Sequence, residues 1–399
     1  MNPRMAEAAA RGRCVWLNAG DGGAQLAWLE PDDVSLTYDA TRREVTRHAS
    51  GRRDVIGDDI FTVLAAELAA GLPEDRWFGY FGYAARTDLP ARADGALPDA
   101  VWMRPSRIER LELPGAPLSA WGGVRPGSTP GWYRAGFEAV QEQLHAGNSY
   151  EVNLTYRAAE RSTLSPLEVF ERLWALNPAP YASYLHHDVP GARAFLAGSS
   201  PERFARIDAV RSLEAKPIKG TMPRGETSAE DAAAAEHLRT DQKFRSENLM
   251  IVDLLRHDLS QVCEVGSVQV PSLMAVESYA SVHQLVSTVR GSLRQDVRTL
   301  DALRALFPAG SMTGAPKLRT MQIIDEVEQT PRGAYSGALG WICADGRADL
   351  GVIIRTLMTD GSGAYTLGTG GGITVQSDVD EEFAESQWKA ERLLRALQG

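Results

Sequence analysis

Cysteine is scarce. Cys14, Cys263 and Cys343 are the only three in 399 residues, and no two lie near each other. That spacing excludes a disulfide framework and a zinc-binding pattern, and it leads to the expectation of a reduced, cytoplasmic setting. Basic charge is also in deficit: 42 Lys and Arg stand against 52 Asp and Glu, a net charge of −10. No global basic field is available to hold nucleic acid, so an anionic ligand would need local cations and backbone amides. Long apolar runs are absent too. None approaches the roughly 20 residues that span a bilayer, and residues 1–14 contain no signal-peptide apolar core. No internal repeat or low-complexity tract breaks the chain. What is present, 44% hydrophobic and 24% charged residues, is ordinary for a globular protein with ample core in one large domain or two smaller ones.

Residues 1–12 are Ala/Arg-rich and read as a frayed start. Residues 15–48 alternate short apolar runs with Gly/Asp turns such as Gly20-Asp21-Gly22-Gly23, the texture of antiparallel strands. Ile60, Val63, Leu64 and Leu68 fall on one stripe, which predicts a helix over 58–71 with Gly71 as its stop. Trp77-Phe78-Gly79-Tyr80-Phe81-Gly82-Tyr83 reads as a buried strand approached closely by another backbone; a ligand-stacking platform is the alternative. Residues 90–98 and 126–130 are Pro/Gly-rich loops, and the second divides an N-terminal portion, 1–125, from a second portion, 131–399. Beyond it the pattern predicts a helix over 132–146, an alternating strand over 150–156, a charged surface helix over 226–245 and a buried helix over 246–258. Further strands are expected over 281–289, 334–342 and 349–358.

The chemistry-bearing stretch is Pro217-Ile218-Lys219-Gly220-Thr221, which follows Ser200-Pro201-Glu202-Arg203-Phe204 across two short strands turning at Asp208-Ala209. A hairpin there brings Glu202 and Lys219 to one end of a sheet, a carboxyl group and an amine in one cleft. An amine attacks carbon only when unprotonated, so Lys219 is expected to need desolvation or nearby positive charge. Taken singly, other features have plain structural explanations. Lys219 could be an exposed turn lysine, and Glu247 a favourable charge against a helix dipole. His283 could be a satisfied core residue, and Arg355, amid Val352, Ile353, Ile354 and Leu357, half of a structural salt bridge. Gly370-Gly371-Gly372 could be a tight turn, and Glu382, Glu385 and Lys389 a run of surface charge on one helix face.

In joint order and spacing these residues resemble the chorismate-utilising enzymes, strongly from about residue 131 to 397. The family includes anthranilate, aminodeoxychorismate, isochorismate and salicylate synthases. Within it, Pro-Ile-Lys-Gly-Thr resembles the aminodeoxychorismate synthase component I branch, where the lysine attacks C2 of chorismate; anthranilate synthases usually carry alanine in its place. The resemblance implies an α+β fold: two packed antiparallel β-sheets flanked by outer helices, with both portions of the chain contributing to one sandwich.

It also implies roles. Lys219 is the nucleophile, Glu202 the proton donor to the departing C4 hydroxyl, and His283 a support for that departure. Gly220 and Thr221 lie beside the substrate, and the turn holding Ser311, Thr313 and Gly314, at a helix start rich in N–H donors, holds the ring carboxylate. Tyr335, Gly370, Gly371, Gly372 and Lys389 complete the substrate contacts, and Arg355 grips the enolpyruvyl carboxylate. Glu247 and Glu385 bind Mg²⁺, with Glu382 acting through water. Three departures stand out. Glu151 replaces the lysine that activates water in isochorismate enzymes and the glutamine common in the amino-transferring ones. Phe244 stands where an acidic residue is frequent, and His257 replaces the commoner asparagine. The expected reaction joins chorismate and ammonia as 4-amino-4-deoxychorismate, for 4-aminobenzoate and folate synthesis. No cysteine sits in a Gly-x-Cys-x-Gly elbow, so ammonia is expected from a glutaminase partner. Anthranilate synthase component I is the nearest alternative, and a non-catalytic chorismate- or Mg²⁺-binding subunit the next. No Leu-Leu-Glu-Ser motif for tryptophan is found near the N-terminus.

Overall fold

Strand alternation explains how the chain makes two cores. In Arg13–Asn18, Val15 and Leu17 join one hydrophobic cluster while Cys14 and Trp16 join another, because successive side chains leave opposite faces of a strand. The first cluster lies between two sheets and includes Leu36, Phe204, Leu213 and Leu350 from the opposite sheet. The second lies between the outer face and helices Pro3–Ala10, Pro166–Leu176 and Val379–Leu397. A third, smaller cluster packs helices Gly131–His145 and Lys317–Glu328 onto Val152, Leu154 and Ile373.

The computed structural model describes residues 3–19, 23–113, 127–279 and 282–398. Within them one sheet has nine strands and the other twelve, and every pairing is antiparallel. Strands preceding residue 113 enter both sheets: Arg13–Asn18, Gly23–Trp28 and Arg107–Glu112 lie in the smaller, and Val34–Asp39, Arg76–Phe81 and Ala100–Arg104 in the larger. This is the expected α+β architecture of two packed antiparallel sheets with helices outside. Residues 20–22 of the predicted glycine turn, Pro126 of the predicted boundary and Ser281 lie outside the described residues.

Local chemistry sets the element ends. Asp59 caps Ile60–Ala70 by accepting from the Thr62 N–H, and Ser165 with Glu168 forms a reciprocal capping box on Pro166–Leu176. Gly79 lies where a Cβ would strike the Val101 carbonyl, the close backbone approach its strand predicts, and the aromatic run around it is buried core rather than a ligand platform.

Four expectations need correction. Residues 3–10 form a helix, tied down by buried Met5 and Ala8. The predicted helix over 226–245 is two, Ser228–Thr240 and Gln242–Ser260, because Asp241 ends the first and caps the second through the Phe244 N–H. The strand expected over 334–342 starts only at Ala338, leaving Tyr335 in the turn before it. The strand expected over 349–358 is also two: Ala348–Val352 belongs to the larger sheet and Thr356–Thr359 to the smaller. The chain crosses between sheets at residues 353–355, with Arg355 at φ +50°, a conformation that costs a non-glycine residue about 1–3 kcal/mol.

Candidate active site

The hairpin Arg203–Ile207/Ser212–Lys216 forms as its sequence suggests, pairing Arg203 with Lys216, and returns the chain to Glu202. The next strand, Ile218–Pro223, pairs Ile218 with Val286 but Thr221 with Gln284, so it carries one extra residue. Gly220 takes φ +85° within this bulge. A bulge with a left-handed glycine bends the strand and re-aims its neighbour, and Lys219 turns into a cleft. Glu202, Gly220 and Thr221 line the same cleft.

The opposite wall is Ala364–Ile373 beside Glu151–Arg161, with Gly372 registered to Asn153 and Gly370 to Thr155. A Cβ on Gly371 would lie 3.1 Å from Glu382 Oε2, and one on Gly372 would lie 2.9 Å from Lys219 Nζ. The glycines thus make a floor that side chains would fill. Helix Gln242–Ser260 contributes Lys243, Phe244 and Glu247; the closing helix contributes Glu382, Glu385 and Lys389; Ser311, Tyr335 and Arg355 complete the wall.

The charges are mostly paired. Lys219 contacts Glu151, Lys243 contacts Glu382 at 2.9 Å, and Lys389 contacts Glu385 at 2.7 Å. Ser311 Oγ donates to Glu202 Oε1 at 2.6 Å. Two groups stand apart among the described residues. Glu247 Oε1 is buried with no hydrogen-bond partner, and the Arg355 guanidinium makes no ion pair or side-chain hydrogen bond. Burial pushes both Glu202 and Glu247 up to about 7, against an ordinary 4.5. Burial lowers Arg355 to about 10, with Arg392 acting in the same direction. A half-buried guanidinium facing a cleft without an ion-pair partner is a site for an anionic ligand.

Lys219 differs from expectation. Burial acts to lower its pKa, but Glu151 in contact, with Glu247 and Glu202 beyond, outweighs burial and holds it above the ordinary lysine range. The resting side chain is an ammonium, not a free amine. His283 is also displaced from its expected place. It is buried on the face opposite the cleft, where its ring nitrogens meet Ser278 Oγ at 2.8 Å and Asp231 Oδ1 at 2.9 Å. Its strand neighbour Gln284 lines the cleft instead, since adjacent residues point oppositely. Thr313 and Gly314 likewise leave the wall. Thr313 is fully buried, with its hydroxyl toward the Gly310 carbonyl, and a Cβ on Gly314 would strike the Glu151 carbonyl. At the start of helix Lys317–Glu328, Lys317 pairs with buried Asp258 at 2.8 Å.

The donors offered to a metal are all oxygens, which suits Mg²⁺. Glu247 brings an unpartnered buried oxygen, whereas Glu382 and Glu385 would have to release Lys243 and Lys389. As they stand, no three acidic, His or Cys groups among the described residues converge tightly enough to hold an ion.

The sequence assigned no site role to Asn153, Lys243 or Gln284, and it marked Glu151 only as a departure from the family pattern. A signal for Glu151 and Asn153 existed: Glu151, Asn153 and Thr155 alternate with Val152 and Leu154, and all five are buried. Of these polar residues Asn153 lines the cleft, Glu151 meets Lys219, and Thr155 donates its hydroxyl to Glu328.

Residues 119–395 match the model of the chorismate binding enzyme family. The aminodeoxychorismate synthase of Streptomyces pristinaespiralis is 41% identical over 92% of this chain and 58% of its own length. Aminodeoxychorismate synthase component 1 of Escherichia coli is 40% identical over 67% of this chain and 57% of its own length. The chain therefore spans less than three-fifths of either relative. In the solved structures, anthranilate synthase component I of Streptococcus pneumoniae superposes with a TM-score of 0.75 at 25% identity, over 93% of this chain and 92% of that one.

Proposed function

The chain belongs to the chorismate binding enzyme family, and from that premise we propose that it makes 4-amino-4-deoxychorismate from chorismate and ammonia. The observation that carries the reading is one cleft holding Lys219, Glu202 with its carboxyl titrating near 7, and the unpaired Arg355. Arg355 fits a carboxylate of the substrate through two parallel N–H donors. Lys389, released from Glu385, would reach a second carboxylate.

Glu202 is about half protonated near neutrality, and it is placed to give its proton to the C4 hydroxyl as that group leaves. Lys219 forms a bond to C2 as the C4–O bond breaks, the two ring double bonds shifting between them. Ammonia then bonds to C4 and the electrons return through the ring to expel Lys219. Glu202, now ionised, takes the surplus proton from nitrogen. Gln284 occupies the place intended for His283 and can offer only hydrogen bonds. Glu247 and Glu385 would hold Mg²⁺, with Glu382 behind them, and the ion would neutralise the ring carboxylate.

The ammonia source lies outside these 399 residues, which contain no glutaminase elbow; a glutaminase supplies it, on a partner chain or a further segment. We assign the product to 4-aminobenzoate and folate synthesis. Among the described residues no helix is long and apolar enough to cross a membrane, and the three free thiols suit the cytoplasm.

The test is a product assay with chorismate, Mg²⁺ and ammonium at alkaline pH, separating products by mass. Aminodeoxychorismate without pyruvate is expected from the wild type and none from Lys219→Ala. Anthranilate with pyruvate would assign the chain to the other amino-transferring branch. Isochorismate would mean that Glu151 activates water, and no turnover with added glutaminase would leave a non-catalytic subunit.

A further inference from the structure

Glu151 is one of the residues at which this chain departs from the family pattern, and the fold has made room for it. It opens the strand Glu151–Arg161, flanked on both sides by other strands, and its side chain is fully buried. Oε1 receives the Lys219 ammonium from 68 residues away in sequence. Oε2 is buried and has no donor against it, so the lysine alone competes for this carboxylate. Two glycines keep the space open: a Cβ on Gly372 would strike Oε1, and one on Gly314 would strike the Glu151 main-chain carbonyl. Glutamine, the residue the resemblance leads one to expect here, could share a hydrogen bond with Lys219 but could not take its proton.

The pair sits inside a ring of other charges. Glu202 faces it from the strand edge, Glu247 and Lys243 from helix Gln242–Ser260, and Arg355 from the crossing between sheets. Glu382, Glu385 and Lys389 face the cleft from the closing helix, tied into their own pairs. No other carboxylate lies within ion-pair distance of Lys219 among the described residues.

We propose that Glu151 is the internal base that removes the Lys219 proton when substrate fills the cleft. The proposal rests on the reading of Lys219 as nucleophile. Filling the cleft excludes water, and a desolvated ammonium–carboxylate pair gains by collapsing to amine and acid. One Nζ–H bond breaks toward Glu151 Oε1, leaving its electron pair on nitrogen. That pair forms the N–C2 bond, and the electrons displaced through the ring leave with the C4 oxygen, which Glu202 protonates to water. When ammonia later expels the amine, Glu151 returns its proton and the ion pair is restored. Glu151 touches the nucleophile and not the substrate, so it is a positioning and activating residue.

The experiment follows covalent adduct formation by rapid quench and intact-protein mass, with chorismate and Mg²⁺ but no ammonia, from pH 6 to 10. Wild type, Glu151→Gln and Lys219→Ala are compared. With an internal base the reactive form carries its own proton acceptor, whereas Glu151→Gln must lose the lysine proton to water. The ratio of wild-type to Glu151→Gln rate is therefore expected to be largest at pH 6, on the order of 10²-fold or more. It should shrink about tenfold per pH unit until the lysine titrates. A ratio that stays constant with pH would reduce Glu151 to a structural partner. A ratio near or below one at pH 6 would mean that it merely holds Lys219 charged. If Glu151→Gln fails to fold by circular dichroism, Glu151→Ala is assayed with added acetate: a rate that rises with acetate supports the base, and an insensitive rate overturns it. Adduct-free turnover by Lys219→Ala would remove the nucleophile reading itself, a result separate from any outcome at Glu151.

Discussion

Gly372 and Lys219 meet across the cleft so closely that a methyl group on the glycine would stand 2.9 Å from Nζ, while also striking Glu151. The strand around Gly372 keeps its ladder to Glu151–Arg161 whatever the side chain, so the methyl group would displace the lysine rather than the backbone. Gly372→Ala is expected to retain its fold by circular dichroism, at a stability cost of about 1–3 kcal/mol. Its kcat/KM should fall by about 100-fold or more, because a shift of 1 Å in a reacting group is enough for that. Activity near wild type would mean that Lys219 works from another position.

Arg355 should show opposite signs in activity and stability. It sits at positive φ in the crossing between sheets; burial and Arg392 lower its pKa, and the opposing pull of Glu202 and Glu385, neither in ion-pair contact, does not offset them. Arg355→Met is expected to raise the melting temperature, because a half-buried cation without an ion-pair partner is removed. KM for chorismate should rise roughly 10- to 100-fold, the worth of a charge-assisted hydrogen bond. A variant that melts lower with KM unchanged would make Arg355 a structural residue.

How much of this could be read in advance follows from distance along the chain. Glu202 and Lys219 are joined by one hairpin, and their proximity follows from two short strands and a turn. Lys219 and Glu151 lie in different sheets, brought together by the packing of the sandwich, and nothing local to either residue announces the pair. Alternation was the second limit. Which of His283 and Gln284 faces the cleft depends on strand register, and a shift of one residue exchanges them. Apolar composition was the third: Ile353 and Ile354 follow Val352 without a change in character, so residues 353–355, where the chain crosses, carry no Gly or Pro to mark the crossing. The two sheets and the outer helices were legible because alternation and helical stripes are local; the electrostatics of the cleft were not.

Glu247 links metal binding to stability. Its folded pKa of about 7 exceeds the ordinary 4.5, so the folded chain binds more protons than the unfolded chain between those values. Stability from this group is present below about pH 4.5 and is lost as pH rises through 7. Without Mg²⁺, Glu247→Gln should therefore melt higher than wild type at pH 8, by on the order of 1–3 kcal/mol, and equally at pH 4.5. Adding Mg²⁺ at pH 8 should raise the melting temperature of wild type and leave the variant unchanged. An equal Mg²⁺ shift in both would remove Glu247 from the ligand set.

Ser311 and Glu202 allow the proton donor to be tested by moving its pKa without deleting it. Burial holds Glu202 near 7, and the Ser311 hydroxyl, donating at 2.6 Å, opposes burial by favouring the ionised form. A donor must carry its proton, so adduct formation by the wild type should decline as pH rises through about 7. Ser311→Ala removes the hydrogen bond to the carboxylate, which leaves burial less opposed and raises the pKa further. Its alkaline limb should move upward by about one pH unit. Glu202→Gln should lose the limb altogether, with a rate lower by roughly 10²- to 10⁴-fold. A limb that stays in place in Ser311→Ala, or moves to lower pH, would belong to another group, and the proton delivered to the C4 oxygen would have to come from elsewhere in the cleft.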